Sequence, residues 1–278
     1  MPGALLIPAM TLVAAAAAVD ADARVPRLVK AMAEEVRSFL QVSTRLVSEE
    51  TLHHGTRDEH GDWKRHTVLS QYSFASPREQ SRAVREIRQV LAVDGKPVKN
   101  NRGLEAVASA VASGSDKEKL KLLEQWERFG IKTVATDIGQ LLLLFSPESI
   151  VNYEFRFQTR RFAGNIPVLV FAYSQIDGPG SMTVFKDGAV QKPKLTGEVW
   201  VEEQNYRLIR VALHTHVPAE KTLLARQDLI VDYAWWPAGC VMPVSALHRE
   251  YVNGALRVEN RYEYAAYRSF VSLGNKQR

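Results

Sequence analysis

The chain has 278 residues, of which 46% are hydrophobic and 24% charged, and 36 Lys and Arg against 31 Asp and Glu give a formal net charge of +5. These proportions are ordinary for a folded globular chain, and the basic residues are interleaved with acidic ones, which argues against a nucleic-acid-binding patch. The single cysteine, Cys240, excludes an intramolecular disulfide and a multi-cysteine metal site, and its apolar neighbours predict a buried thiol.

The chain begins with an apolar run over residues 4–19, broken by Pro8 and Thr11. This run is short for a membrane-spanning helix but has the length of a signal-peptide core, and Ala21-Asp22-Ala23 fits a cleavage site. No Lys or Arg precedes it, which is atypical. We therefore expect residues 1–23 to be a cleavable signal peptide and the protein to be periplasmic or otherwise exported. The alternatives are an uncleaved apolar anchor, a start codon further upstream, or a buried helix of a cytosolic protein.

A helix and a strand meander follow this segment. Apolar residues at helical spacing over 25–40 predict an amphipathic helix. Residues 45–56, 64–74 and 85–93 alternate or are rich in strand-forming types, and turn residues separate them. We expect these three strands to be joined by short connections.

The period changes at about residue 102 and returns to strands after residue 146. Ser115 and Glu118 have capping-box spacing and open one predicted helix, which runs to about residue 129. A second helix is predicted over 134–145, where four consecutive leucines, 141–144, indicate a segment covered on several sides. It ends before Pro147. The insertion at about 102–146 therefore contributes a pair of helices.

Residues 151–158 alternate strictly between apolar and polar types, which predicts a strand with one buried face. Further strands are predicted over 168–176, 182–186, 197–202, 207–217, 228–236, 244–251 and 256–267. The fold class is α+β: a strongly curved antiparallel sheet of about ten strands, an incomplete β-barrel, with a helical lid formed by the N-terminal helix and the inserted pair. Residues 24–278 form a single domain.

Residue patterns for catalysis are missing from the sequence. It contains no Gly-x-Ser-x-Gly elbow and no Gly-rich phosphate loop before a helix. The neighbours Glu49 and Glu50, like His53 and His54, would point to opposite faces of a strand and could not act as a pair. We expect no enzyme activity, no catalytic residues and no cofactor.

The sharpest candidate for a metal is the pair His214 and His216, which share a face at strand spacing. A metal site usually needs a third ligand, and none follows nearby. A polar sheet face shared with Arg210 is the alternative, and we predict no metal site. His248, beside charged residues, is expected on the outer face of the sheet.

Aromatic residues recur at alternating strand positions, and they allow two interpretations. They could form an ordinary core, or they could line an apolar cavity that the helices leave unfilled in a curved sheet. On the second interpretation the cavity-lining, ligand-binding residues are Tyr153, Phe155, Phe157, Phe171, Trp200, Tyr233, Trp235, Leu141 and Leu142.

Three short stretches resemble the Lol-type outer-membrane lipoprotein-sorting and carrier family. They are residues 90–97 (VLAVDGKP), residues 197–201 (GEVWV) with 207–210 (RLIR), and residues 230–233 (IVDY) leading to Met242-Pro243. The resemblance covers most of residues 40–270 at the level of architecture.

The resemblance implies a half-barrel whose helical lid closes over acyl chains. By it, the protein is a non-enzymatic periplasmic or cell-envelope binding protein for an apolar ligand such as a lipid or an acylated protein, with peripheral membrane contact possible. The alternative is a structural or interaction module of a cell-envelope complex, with a protein partner and no small ligand.

Overall fold

The computed structural model describes residues 10–76, 84–98, 126–127, 129–131, 138–176, 184–186, 189–191, 194–217 and 225–269. Within these residues, helix α1 spans Met10–Val42, and 3₁₀ helices span Ser43–Arg45, Gly139–Phe145 and Ile150–Asn152. In this part of the chain no helix is both long and apolar enough to cross a membrane. The strands are β1 (Leu46–Arg57), β2 (Trp63–Ala75), β3 (Arg85–Val93), β4 (Lys96–Pro97), β5 (Tyr153–Ala163), β6 (Ile166–Gln175), β7 (Val184–Lys186), β8 (Ala189–Gln191), β9 (Thr196–Glu202), β10 (Leu208–Val217), β11 (Ala225–Trp236), β12 (Cys240–Val252), β13 (Ala255–Tyr264) and β14 (Arg268–Ser269).

Twelve of the strands form one antiparallel sheet in the order β4-β3-β2-β1-β13-β12-β11-β10-β9-β6-β5, with β14 also paired to β1. Strands β7 and β8 form a separate hairpin. The predicted antiparallel sheet is confirmed, and its expected count of about ten strands misses the two-residue strands β4 and β14. Such short pairings leave no periodic signal in a sequence.

The topology joins two meanders and leaves the sheet open. Strand β1 pairs with β13, with Glu50 opposite Tyr264, so the first and last parts of the chain meet in the middle of the sheet. Strands β4 and β5 lie at the two ends of the strand order. The chain between them, residues 98–152, therefore connects the two edges of the open sheet.

The alternating run of β5 shows the predicted one-sided burial. Tyr153 is buried, Phe155 and Phe157 are half-buried, and the residues between them are exposed. Val151, which we expected on the same face, instead lies in the 3₁₀ helix Ile150–Asn152 and is 70% exposed. Strand β5 begins at Tyr153, two residues after the start of the alternating sequence, because Val151 belongs to the preceding 3₁₀ helix.

Helix α1 lies across the ends of the strands and buries one apolar stripe. Leu28, Met32, Val36 and Phe39 are at most 1% exposed, at the spacing of one helix face. Near the middle of the helix the Arg27 guanidinium donates to the Gln204 carbonyl at 2.9 Å, in the turn between β9 and β10. Near its end the Phe39 ring meets that of Phe74 on β2, 5.1 Å between centroids. The helix thus closes one end of the curved sheet.

The leucine-rich segment ends at Phe145 as predicted, but it is a 3₁₀ helix over Gly139–Phe145 and not the end of an α-helix. Its backbone hydrogen bonds join residues three apart, as the one from Leu141 N–H to Ile138 O does. A 3₁₀ helix rises about 2.0 Å per residue against 1.5 Å in an α-helix, which suits a segment that must connect two sheet edges. The remainder of the predicted helical pair, residues 102–125, 128 and 132–137, lies outside the described residues.

Candidate functional site

The apolar half of the interior is an aromatic cluster centred on Phe145. Its ring lies 5.4 Å from that of Tyr173, 5.8 Å from that of Phe155 and 6.5 Å from that of Tyr153, measured between centroids. Phe145 is fully buried. The leucine-rich segment therefore inserts this side chain between itself and the concave face of β5 and β6.

Further along β5 the cluster continues to the N-terminal helix. Phe157 meets Phe171 with centroids 5.5 Å apart, and the guanidinium of Arg24 lies over the Phe157 ring at 4.5 Å. Phe171 is fully buried. Helix α1 and the leucine-rich segment thus share the covering of this face.

Seven of the nine predicted cavity-lining residues lie in or against one hydrophobic core, and two do not. Trp200 lies on the outer face, where its indole N–H donates to Glu198 at 2.9 Å and the Arg210 guanidinium lies 5.1 Å from its ring. Trp235 is 43% exposed, under the guanidinium of Arg207 at 4.2 Å. The seven that come together are Tyr153, Phe155, Phe157, Phe171, Tyr233, Leu141 and Leu142.

The other half of the interior is polar, which the apolar-cavity interpretation did not foresee. Arg88 on β3 donates from Nε to both carboxylate oxygens of Glu50, each at 2.8 Å, and from Nη1 to Glu86 at 2.6 Å. All three side chains are at most 7% exposed. The Arg88 guanidinium also lies 5.1 Å from the ring of Tyr72 and 5.6 Å from that of Tyr262. We call Glu50, Arg88 and Glu86 the buried charge triad.

The triad holds the leucine-rich segment against the sheet. Glu86 accepts hydrogen bonds from the Tyr72 hydroxyl at 2.8 Å and from the Gly139 N–H. A Cβ at Gly139 would overlap the Tyr72 hydroxyl and lie 3.0 Å from Phe74 and Pro243. Glycine is therefore required where the segment begins, and this close approach brings Phe145 to its place in the cluster.

Burial shifts the pKa values of this polar group. Desolvation raises the pKa of Glu50, opposed by the positive charge of Arg88. The two carboxylates raise the pKa of Arg88 well above its usual range despite its own desolvation. Two acids share one guanidinium, so removing that cation would leave uncompensated buried charge.

A row of histidines and an asparagine follows the concave face toward the opposite end of the sheet. His54 Nδ1 donates to Asn260 Oδ1 at 2.6 Å, and the Asn260 amide donates to His248 Nδ1 at 3.1 Å. His66, opposite His54 on β2, bonds Asp94 at 2.8 Å. The Nε2 atoms of His54 and His66 are buried, and in the described part of the chain neither has a hydrogen-bond partner.

The expectation that His248 faces outward is wrong, because it is 2% exposed and desolvation lowers its pKa to about 4. A register shift in β12 opposite Asp232 and Tyr233 changes which residues face inward. His53 is exposed and His54 is buried, as alternation requires. Burial likewise lowers the pKa of His54.

His214 lies on the outer face and bonds Asp228 at 2.8 Å, where Arg226 also donates to the same carboxylate. This is the polar sheet face that we weighed against a metal site; the side chain of His216 lies outside the description. Among the described residues no group of three His, Cys, Asp or Glu is arranged to hold a metal.

Cys240 is fully buried, as predicted, and burial, with Glu35 adding to it, raises the pKa of its thiol to about 12. A thiol held protonated is a poor nucleophile. The side chain therefore acts as a small apolar group of the core.

Sequence reasoning missed the buried charge triad. The separation of Glu49 and Glu50 onto opposite faces was foreseen and is confirmed, since Glu49 is exposed and Glu50 is buried. The available signal was that Glu86 and Arg88 share a face with each other at strand spacing. Nothing in the spacing indicates that this face is the buried one.

No family model and no curated protein sequence matches the chain. Among solved structures, one domain from Vibrio parahaemolyticus, described as an outer membrane lipoprotein-sorting protein, is similar at 10% identity and a TM-score of 0.37, over 86% of this chain and 91% of that one. A LolA superfamily protein from Nitrosomonas europaea is similar at 10% identity and a TM-score of 0.30, over 85% of this chain and 93% of that one. The predicted α+β fold class is confirmed by the described residues themselves, which form an open antiparallel sheet with an N-terminal helix across it.

Proposed function

We propose that the protein is a non-enzymatic binding protein of the cell envelope that carries an apolar ligand, a lipid or the acyl chains of a lipoprotein, between sheet and helical cover. The observation that carries this proposal is the position of Phe145. One side chain from the segment connecting the two sheet edges fills the space between that segment and the aromatic residues Tyr153, Phe155 and Tyr173.

In this proposal an acyl chain replaces the Phe145 ring when the leucine-rich segment lifts from the sheet. Full burial of a phenylalanine side chain contributes about 1.5–3 kcal/mol, and each buried methylene about 0.8 kcal/mol. Roughly two to four methylenes therefore offset the loss of Phe145 from the cluster. The exchange also requires that the Glu86 carboxylate release the Gly139 N–H, which holds the start of the segment against the sheet.

Export to the periplasm is part of the proposal, and Pro26 supports it. Pro26 lies inside α1, where proline removes one backbone hydrogen bond and disturbs the preceding turn. In a chain cleaved after Ala23, Pro26 would lie in the first turn of the helix, where that bond does not exist. The helix of the cleaved chain is thus better matched to its sequence than the longer one.

An interaction module without a small ligand remains the second candidate, because one observation favours it. Phe145, Leu142 and Ile138 are fully buried, so this part of the interior is already filled by the protein's own side chains. A filled interior is compatible with a carrier in its closed form, and equally with a protein that uses its surface to bind a partner. The two functions differ in what accompanies the purified protein.

Native mass spectrometry of protein recovered from the periplasm tests the proposal, together with titration of a fluorescent fatty acid. We expect a co-purified lipid, and tighter or faster probe binding by Gly139→Ala and Phe145→Ala. Leu52→Ala is the control, since it removes a fully buried apolar side chain from β1, where Leu52 lies opposite Val68 and Tyr262 and away from β5 and β6. No co-purified lipid and equal probe binding by all four proteins would overturn the carrier, and recovery of a stable protein partner instead would support the interaction module.

A further inference from the structure

The tip of the β5–β6 hairpin carries two exposed large apolar side chains, one of which, Phe162, is the most exposed large apolar residue in the described part of the chain. Phe162 is 73% exposed and Ile166 is 43% exposed, on either side of the turn at Gly164 and Asn165. Large exposed apolar side chains close together mark interaction sites more often than isolated ones do. The tip is therefore a candidate interaction surface.

The two apolar side chains lie on opposite faces of the tip. Phe162 pairs with Pro167, whereas Ile166 pairs with Ala163, one position further along the ladder. Residues paired across strands share a face and successive residues alternate, so Phe162 and Ile166 point to opposite sides. A flat partner surface could cover one of them at a time. A fluid phase that the tip enters end-on would cover both.

Basic side chains surround the tip. Arg160 is 66% exposed and pairs with Glu203, and Arg161 lies 5.4 Å from the Trp200 ring on the outer face. At the same end of the sheet, Arg27 is held against the turn between β9 and β10. Basic side chains behind an apolar tip match the layering of an anionic bilayer surface, where a basic residue contributes about 1 kcal/mol of attraction and less when, like Arg160, it is already paired with a carboxylate.

The N-terminal helix reaches the same corner of the molecule. Arg24 lies over Phe157 on β5, the edge strand of the sheet. Residues 10–23 continue the helix from there, a length of about 20 Å at 1.5 Å per residue. The helical part of the apolar run, residues 10–19, therefore extends from the corner that carries the hairpin. In the export proposed above, this segment would bring the same corner to the membrane.

We propose that the tip of the β5–β6 hairpin docks the protein on an anionic phospholipid bilayer. Phe162 and Ile166 insert into the interface between headgroups and acyl chains, and Arg160 and Arg161 contact the headgroups. This surface is separate from the interior and does not depend on what the interior carries. It gives the protein an orientation on the membrane, with the edge strand β5 and the start of α1 toward the lipid.

Co-sedimentation with vesicles tests the proposal, using the protein in the form recovered from cells and vesicles of phosphatidylcholine with or without one quarter phosphatidylglycerol. The double variant Phe162→Ser with Ile166→Ser should weaken binding to the anionic vesicles about tenfold or more. Each substitution removes most of an apolar side chain that the bilayer would bury. The matched control is Val151→Ser with Ile176→Ser, which removes apolar side chains 70% and 54% exposed at the opposite end of the same hairpin. It should change binding less than twofold.

A second pair of measurements separates the hairpin from other causes. Arg160→Gln with Arg161→Gln should weaken binding to anionic vesicles and leave the weak binding to neutral vesicles unchanged, and added salt should have the same effect. Wild-type protein that stays in solution with anionic vesicles would overturn the proposal. So would equal loss in the Val151 and Ile176 control, or unchanged binding after Phe162 and Ile166 are replaced, because the N-terminal helix would then be the docking element.

Discussion

Replacing Arg88 by methionine removes the cation from the buried charge triad while keeping a long side chain of similar shape. In the protein, Arg88 holds Glu50 with two contacts of 2.8 Å and Glu86 with one of 2.6 Å. The carboxylate side chains are 0% and 2% exposed. Water cannot take the place of the lost guanidinium without opening the interior.

The expected loss of stability is large for a single substitution. Breaking a buried ion pair by removing one partner costs about 3–5 kcal/mol, because the remaining charge stays desolvated. For a chain of this size that corresponds to a fall in Tm of roughly 10 °C. It is also a large share of the roughly 5–15 kcal/mol by which folded proteins are stable.

The loss should depend on pH, with a sign that the structure fixes. Burial raises the pKa of Glu50, and Arg88 opposes that rise, so Arg88→Met raises this pKa further. A carboxyl whose pKa is higher in the folded than in the unfolded state stabilises the fold below its unfolded pKa, and this contribution disappears as pH rises through the folded pKa. The deficit of Arg88→Met should therefore be larger at pH 8 than at pH 5.

Urea unfolding followed by circular dichroism at pH 5 and pH 8 measures both effects. Arg249→Met is the control: its ion pair with Glu259 lies on the outer face, with side chains 34% and 17% exposed, and should contribute less than about 1 kcal/mol. Adding Glu50→Gln to Arg88→Met should restore part of the stability at pH 8, because one of the two stranded charges is removed. A deficit below about 1 kcal/mol, or one equal at both pH values, would refute the reasoning.

Four further expectations can be checked separately. His248, with its pKa lowered from 6.5 to about 4, should make the fold lose up to about 3 kcal/mol as pH falls from 6.5 toward 4; unfolding of His248→Gln across that range should lack this component, and an equal slope would contradict it. Phe145→Ala should lower the free energy of unfolding by about 3–5 kcal/mol, and a loss under 1 kcal/mol in urea titration would mean that the cluster does not depend on this ring. Gly197→Ala should abolish the native fold by circular dichroism, because its Cβ would overlap the Ala212 carbonyl oxygen; a native spectrum would show that the strands can separate there. N-terminal sequencing of the exported protein should begin just after Ala23, and an intact N-terminus in the periplasmic fraction would sink the signal-peptide assignment.

The sequence predicted the strands well because period-two alternation and turn residues are local properties. Strand β3 begins and ends where predicted, and Asn253-Gly254, a dipeptide typical of two-residue hairpin turns, joins β12 to β13. Both turn residues have positive φ, +54° and +75°, as a two-residue hairpin requires. The burial of Cys240 was equally local, since its neighbours on both sides are apolar.

The candidate site was predicted less completely, and Trp200 shows why. It was grouped with the interior because it is aromatic, yet it shares its face with Glu198 and Glu202, which was a readable signal that this face is the outer one. Val199 and Val201, between them, are the buried pair. The aromatic side chain of Trp200 suggested a core position, but its place in the alternation of β9 puts it on the outer face.

By itself, the sequence determined the order and type of the elements: one amphipathic helix, a meander, an insertion and a longer meander with alternating faces. Only the tertiary structure decided which face is concave, that Glu50, Arg88 and His248 lie inside it, and that Phe145 reaches the aromatic residues of β5. The physical reason is that alternation fixes which residues share a face but not which face is buried. That choice depends on strands far apart in the chain, such as β1 and β13, and on bulges that reverse the alternation within a strand.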